Sequence, residues 1–148
     1  MLRVKLICVG RLKETFYAGA FAEYEKRLSR YCSFELCEVV ESGNLENEGA
    51  AVLEKSPAGA WVIALCIEGR LMDSPELAGL IRDWTVRGCS RLCLIIGGSE
   101  GLSETVKQRA QLRLSMSPMT FPHHLARIMA AEQLYRAFTI LEGSKYHK

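Results

Sequence analysis

The sequence predicts an α/β fold: a mostly parallel sheet of five to six strands with helices on both faces. Three observations predict it. Apolar runs alternate with amphipathic stretches along the chain, giving five β-α units. Two of these runs, WVIALCIE (61–68) and RLCLIIG (91–97), are apolar nearly end to end, as central parallel strands are. The length of 148 residues and the 49% hydrophobic composition suit one domain spanning residues 1–148.

Each element follows from local pattern. LRVKLICV (2–9) reads as the first strand. From Lys13 to Tyr31, Phe16, Ala20, Phe21, Tyr24 and Leu28 recur at helical spacing. FELCEVVE (34–41) alternates apolar and charged residues, the pattern of a half-buried strand. Residues 42–49 are rich in Gly, Asn and Glu and read as a loop, followed by a short helix ending near Lys55. Ser56-Pro57-Ala58-Gly59 breaks the chain before the strand at 61–68. Asp73-Ser74-Pro75-Glu76 is a helix start with proline in the first turn, and that helix runs to about Arg87. After the strand at 91–97, Ser103 suits the N-cap of a helix from Leu102 to Ala110. LRLSMS (112–117) is a shorter last strand, Pro118 and Pro122 bracket a loop, and His123 to Leu141 form a long helix.

Composition narrows the class. No apolar run approaches the ~20 residues of a membrane helix. MLRVKLICVG carries charges inside its apolar run, so it reads as a strand and not as a secretion signal, and a cytoplasmic location is expected. The six cysteines include no C-x-x-C pair, and Cys8, Cys37, Cys66 and Cys93 fall inside strand-like runs. They are expected to be reduced and inert, without a metal. The net charge of +2 hides an asymmetry. Residues 1–30 hold seven Lys/Arg against three Asp/Glu, residues 31–102 five against eleven, and residues 103–148 seven against three. Basic ends that meet in space would suit a phosphate backbone; a solvated, unevenly charged surface is the plainer account.

Ligands of such sheets bind outside the carboxyl ends of strands. Three loops fall on that edge: Glu68-Gly69-Arg70, Gly97 to Gly101, and Met116 to Phe121. The stretch LCLIIGGSEGLSETV (92–106) is not a P-loop, because no Lys-Ser/Thr follows its glycines. Nor is it a dinucleotide fingerprint, because its glycines stand at 97, 98 and 101, after the fourth strand. Glu100 is wrong for a pyrophosphate. The loop suits a neutral or positive ligand pressed against bare backbone, or simply a tight turn with glycine at positive φ. The final helix is apolar almost all round, which implies burial on more than one side. Its Glu132 and Arg136, four apart, can pair, whereas Arg127 has no evident partner.

Three motifs then coincide: IIGGSEGLS, MTFPHHLAR…EQLYRAF and the terminal YHK. With the opening LRVKLICVGRLKE and the AEYEKRL segment, they closely resemble the ribosomal RNA large-subunit methyltransferase H family, within the SPOUT superfamily of knotted methyltransferases. The resemblance covers essentially the whole chain. It implies a C-terminal trefoil knot and a homodimer. It also implies methyl transfer from S-adenosylmethionine to N3 of a pseudouridine in large-subunit (23S) ribosomal RNA of the assembled ribosome. Carried over by position, the cofactor contacts fall on Leu65, Gly97, Met116, Ser117, Pro118, Met119, Thr120 and Phe121. For the reaction so implied, Tyr146, His147 and Lys148 are the catalytic candidates by their chemistry, and His123, Arg127 and Arg136 are second-rank candidates for the RNA or the dimer interface.

The chemistry gives these residues roles. Methyl transfer needs alignment and exclusion of water but no metal. The N3 proton must leave, and His147 is the candidate base, because a histidine side chain can accept a proton at neutral pH. Lys148 can stabilise the resulting charge or hold a phosphate, although the family often carries arginine there. Tyr146 can stack on an exposed base. A Gly97→Val substitution is expected to fill the ligand's space. Two rival readings remain open: a non-catalytic RNA-binding or ribosome-associated module, and a Rossmann-like nucleotide enzyme.

Overall fold

The computed structural model describes residues 1–147, and Lys148 lies outside the described residues. Five strands form one fully parallel sheet: β1 (Arg3–Val9), β2 (Ser33–Val39), β3 (Trp61–Leu71), β4 (Arg91–Ile96) and β5 (Leu112–Ser115). Their spatial order is β2-β1-β4-β3-β5. The five helices are α1 (Thr15–Leu28), α2 (Leu45–Lys55), α3 (Ser74–Val86), α4 (Glu104–Arg109) and α5 (His123–Glu142).

Strand alternation sends successive side chains to opposite faces. Val4, Leu6 and Cys8 of β1 join a core with Phe21 and Leu28 of α1, Ile81 and Trp84 of α3, and Ala131 and Leu134 of α5. Ile7 and Val9 join a second core with Val52 of α2 and Val106 of α4. Thus α1, α3 and α5 cover one face and α2 and α4 the other, as the alternating pattern predicts. Helix α5 packs on both α1 and α3. Its nearly circumferential apolar pattern is explained by those two neighbours and the sheet.

Local signals set the helix ends. Asp73 and Glu76 form a capping box on α3, with Pro75 in the first turn. The Ser103 hydroxyl accepts from the Val106 N–H at 3.3 Å. Gly143, at φ 80°, closes α5 in the left-handed conformation.

Strand β3 departs from expectation. It does not stop at Glu68 but runs to Leu71, with a register shift in which both Leu65 and Arg70 face Leu114 of β5. The intervening residues bulge. Gly69 is required there, because a Cβ would lie 2.7 Å from the Arg113 carbonyl. All six cysteines are free. Burial pushes Cys8 and Cys32 up to about 12 and Cys93 to about 11, so these thiols stay protonated and inert.

Candidate active site at the carboxyl edge of the sheet

A cavity of about 750 Å³ opens where β3, β4 and β5 end. Seven of the eight expected cofactor residues line it: Leu65, Gly97, Met116, Ser117, Met119, Thr120 and Phe121. Pro118 does not. The bulge of β3 contributes Cys66, Ile67 and Glu68, and α5 contributes His123 and Ala126. The loop after β5 is internally held, since the Met119 N–H donates to Ser117 Oγ and Ser115 Oγ donates to the Ser117 carbonyl, both at 3.0 Å.

The three loop glycines serve different needs. Only Gly101 has positive φ, at 81°. Gly97 is pressed against the Gly101 carbonyl, so a side chain there would displace the loop itself and not merely fill the ligand's space. At Gly98 a Cβ would sit 2.7 Å from Glu41 Oε2. That carboxylate accepts from both the N–H and the hydroxyl of Ser99 at 3.1 Å, which holds Glu41 below the usual carboxylate range. Sequence reasoning missed Glu41. The strand-end rule marks it too, because it follows β2 on the same edge, but only the later strands were considered.

The electrostatics are nearly neutral. Lys107 reaches the wall and is tied to Glu68 at 2.5 Å. The salt bridge holds Glu68 low and Lys107 high. Glu100 lines the same wall. His123 sits 4.0 Å from Glu41, with its ring against that of His124 at 4.2 Å. Burial, reinforced by His124 and opposed by Glu41, lowers its pKa. Neither histidine Nε2 has a hydrogen-bond partner.

Arg127, expected at an RNA or dimer interface, is 1% exposed. Its guanidinium pairs with Glu38 and donates to the Gly10 carbonyl at 2.8 Å. It ties α5 to the ends of β1 and β2. The partner that the helix does not supply comes from a strand 89 positions earlier.

The tail docks elsewhere. Tyr146 donates its hydroxyl to Glu132 at 2.8 Å and lies edge-on to Tyr135 at 4.8 Å. Arg136 pairs with Glu132 at 2.7 Å, stands over the Tyr146 ring and lies 3.0 Å from His147 Nδ1. Burial and the Glu132 contact raise the Tyr146 pKa. Tyr146 and His147 are absent from the cavity wall. Glu132 and Arg136 stand nine and thirteen positions beyond His123, roughly 14–20 Å along a helix rising ~1.5 Å per residue. Most of the expected site residues that are described therefore fall in two clusters within one chain, the cavity and the tail, while Arg127 stands apart from both.

The cavity residues fit a compact sulfonium compound. Its size falls within the range of ~300–1,000 Å³ usual for small-molecule sites. Leu65, Ile96 and Phe121 supply apolar wall, the glycine loop supplies backbone, and the one cation present is already neutralised by Glu68.

The family described as "Predicted SPOUT methyltransferase" matches residues 2–147. The protein named ribosomal RNA large subunit methyltransferase H of Oenococcus oeni is 43% identical, over the full length of both chains. The protein of the same name from Clostridium novyi is 42% identical, over 99% of this chain and all of its own. Among solved structures, a probable methyltransferase from Bordetella pertussis superposes with a TM-score of 0.58 at 16% identity, covering 93% of this chain and 96% of that one. A probable methylase family protein from Haemophilus influenzae gives 0.55 at 15% identity, covering 99% and 70%. These two carry the fold alone. With a family match over residues 2–147 and full-length relatives of that kind, the chain belongs to the SPOUT methyltransferase family.

Proposed function

We propose that this chain is the S-adenosylmethionine-dependent enzyme that methylates N3 of a pseudouridine in large-subunit ribosomal RNA. It acts on the assembled ribosome, as a homodimer. The observation that carries the reading is the gathering of Leu65, Gly97 and most of the 116–121 loop around one near-neutral cavity, in a chain whose full-length relatives are named ribosomal RNA large subunit methyltransferase H. When bound, the sulfonium compound supplies an electrophilic methyl group. The protein aligns the base with it and excludes water.

The separation of tail from cavity supports a composite site, in which Tyr146, His147 and Lys148 of one protomer reach the cavity of the other. Arginine can only donate, so His147 Nδ1 accepts from Arg136 and its own proton lies on Nε2. To take the N3 proton, His147 must first leave Arg136. Tyr146 must likewise leave Tyr135 to stack on a base. Arg136 is then the residue that stores the tail between turnovers. The threaded C-terminus belongs to the same reading. It is supported by the path of residues 116–122, from the edge strand β5 past β3 and β4 to α5, whose first residues lie beside Gly10 after β1.

Tritium-labelled S-adenosylmethionine, incubated with the protein and either intact ribosomes or free subunits, tests the proposal. Label is expected in the large-subunit RNA of intact ribosomes, at a pseudouridine. Absence of enzyme-dependent label, despite measured cofactor binding, would leave only an RNA-binding module.

A further inference from the structure

The opposite, amino edge of the sheet carries a separate cavity of about 260 Å³. It is lined by Arg3 and Lys5 of β1, Ser33 and Glu35 of β2, Arg91 of β4, and Pro57. These strand residues all point to the face that α2 and α4 cover higher up, as Ile7, Val9, Cys93 and Ile95 do. Helix α2 ends at Lys55 and the chain turns away through Pro57, so the start of that face is left open.

The charges in this bay are not balanced within the chain. Arg3 and Arg91 are direct partners on adjacent strands. Both side chains are exposed at the mouth of the bay. Among the described residues Arg3 has no ion pair, and Arg91 has only a 3.4 Å bond to the Ala58 carbonyl. Lys5, with a side chain 18% exposed, meets only Glu35 at 3.9 Å, a carboxylate that is itself 66% exposed. Arg3, Lys5 and Arg91 around one small bay, with Glu35 the single carboxylate on its wall, point to an anion supplied from outside. Adjacent strands lie ~4.8 Å apart, so the two long side chains start close enough to reach the oxygens of one phosphate.

We propose that this bay is a phosphate-binding subsite, and that a phosphodiester of the ribosomal RNA substrate occupies it. The second clause rests on the function proposed above. The bay is smaller than the ~300 Å³ at which small-molecule sites begin, which suits a phosphate and its sugar better than a whole nucleotide cofactor. From Lys5, four further residues of β1, roughly 13 Å, lead to the carboxyl edge. It grips RNA at a distance from the target base and takes no part in the chemistry.

The test is the double variant Arg3→Gln/Arg91→Gln in the full chain, with Arg91→Gln alone if the pair fails to fold. The double variant is expected to fold with an unchanged melting point, because both side chains are exposed. Ribosome affinity should fall ~10-fold at physiological salt, and the slope of log K against log salt should become shallower by roughly 0.7–0.9, the contribution of one phosphate contact. KM for ribosomes should rise while kcat and cofactor affinity hold. In nitrogen-resolved NMR of the unmodified protein, an RNA oligonucleotide should shift the Arg3 and Arg91 side chains at concentrations where inorganic phosphate does so only weakly. Unchanged ribosome affinity and salt slope would overturn the RNA assignment without touching the methyltransferase reading. Affinity lost with an unaltered salt slope and no RNA-induced shift would assign the bay to an acidic protein surface and overturn it equally. Resonances unmoved by either phosphate or RNA would remove the subsite altogether.

Discussion

Arg127 shows how one residue joins distant parts of the chain. Its guanidinium is buried and bonded to Glu38 and to the Gly10 carbonyl, so removing it leaves a carboxylate and a carbonyl without their partner. Breaking such a pair from one side costs ~3–5 kcal/mol, and the partial exposure of Glu38 argues for the lower end. Arg127→Ala should therefore lose about 3 kcal/mol in urea unfolding. Arg127→Met combined with Glu38→Leu should recover at least half of that. His123 offers a test by pH. Burial lowers its pKa in the folded state, so the stability it contributes is present above the unfolded value of ~6.5 and is lost as pH falls through the folded value. Between pH 7 and 5, the urea midpoint of His123→Gln should fall less steeply than that of the unmodified protein.

At the scale of the element, the capping box of α3 is the clearest case of a local rule deciding a boundary. Asp73 accepts from the Glu76 N–H at 2.8 Å while Glu76 accepts from the Asp73 N–H at 3.3 Å. Asp73→Ala should cost about 1 kcal/mol in chemical unfolding, with no effect on the cavity at the carboxyl edge beyond that loss. The bulge in β3 is the opposite case. WVIALCIEGRL reads as a strand that stops at Glu68, yet pairing with β5 resumes at Arg70. No residue type before the glycine announces a bulge. Its position is set by how β5 meets β3 and by the space Gly69 leaves for the Arg113 carbonyl. The bulge also brings Cys66 and Glu68 to the cavity.

For the whole molecule, the decisive relation is between the cavity at the start of α5 and the tail folded against its later turns. The basic first and last segments do meet, through the packing of α1 on α5. There Arg27 stands over Tyr24 and Tyr135, and Arg136 over Tyr146. If catalysis needs a tail from another protomer, removing the last three residues should abolish methyl transfer while calorimetric cofactor affinity stays within about twofold. Mixing that truncated protein with Gly97→Val protein, which keeps its tail but has a displaced glycine loop, should restore activity toward the level of one working site per mixed dimer. Neither parent alone should exceed background. Failure of mixing to restore transfer, with mixed dimers demonstrated by mass, would place the tail in the cavity of its own chain.

The sequence by itself determined the class of fold and which loops gather at the carboxyl edge of the sheet. Period-two and period-3.6 hydrophobic patterns, caps at Asp73 and Ser103, and the strand-end rule are local consequences of backbone geometry, so they survive without knowledge of neighbours. Leu65, Gly97 and the 116–121 loop were legible for that reason, together with the resemblance. Tertiary structure alone decided the rest. It set the strand order and the burial of Arg127 against Glu38. It put Glu41 behind Ser99, docked Tyr146 and His147 on Glu132 and Arg136, and opposed Arg3 to Arg91 at the far edge. Each of these joins residues far apart in the chain, and the energy of a charge depends on what the fold places within a few ångströms of it.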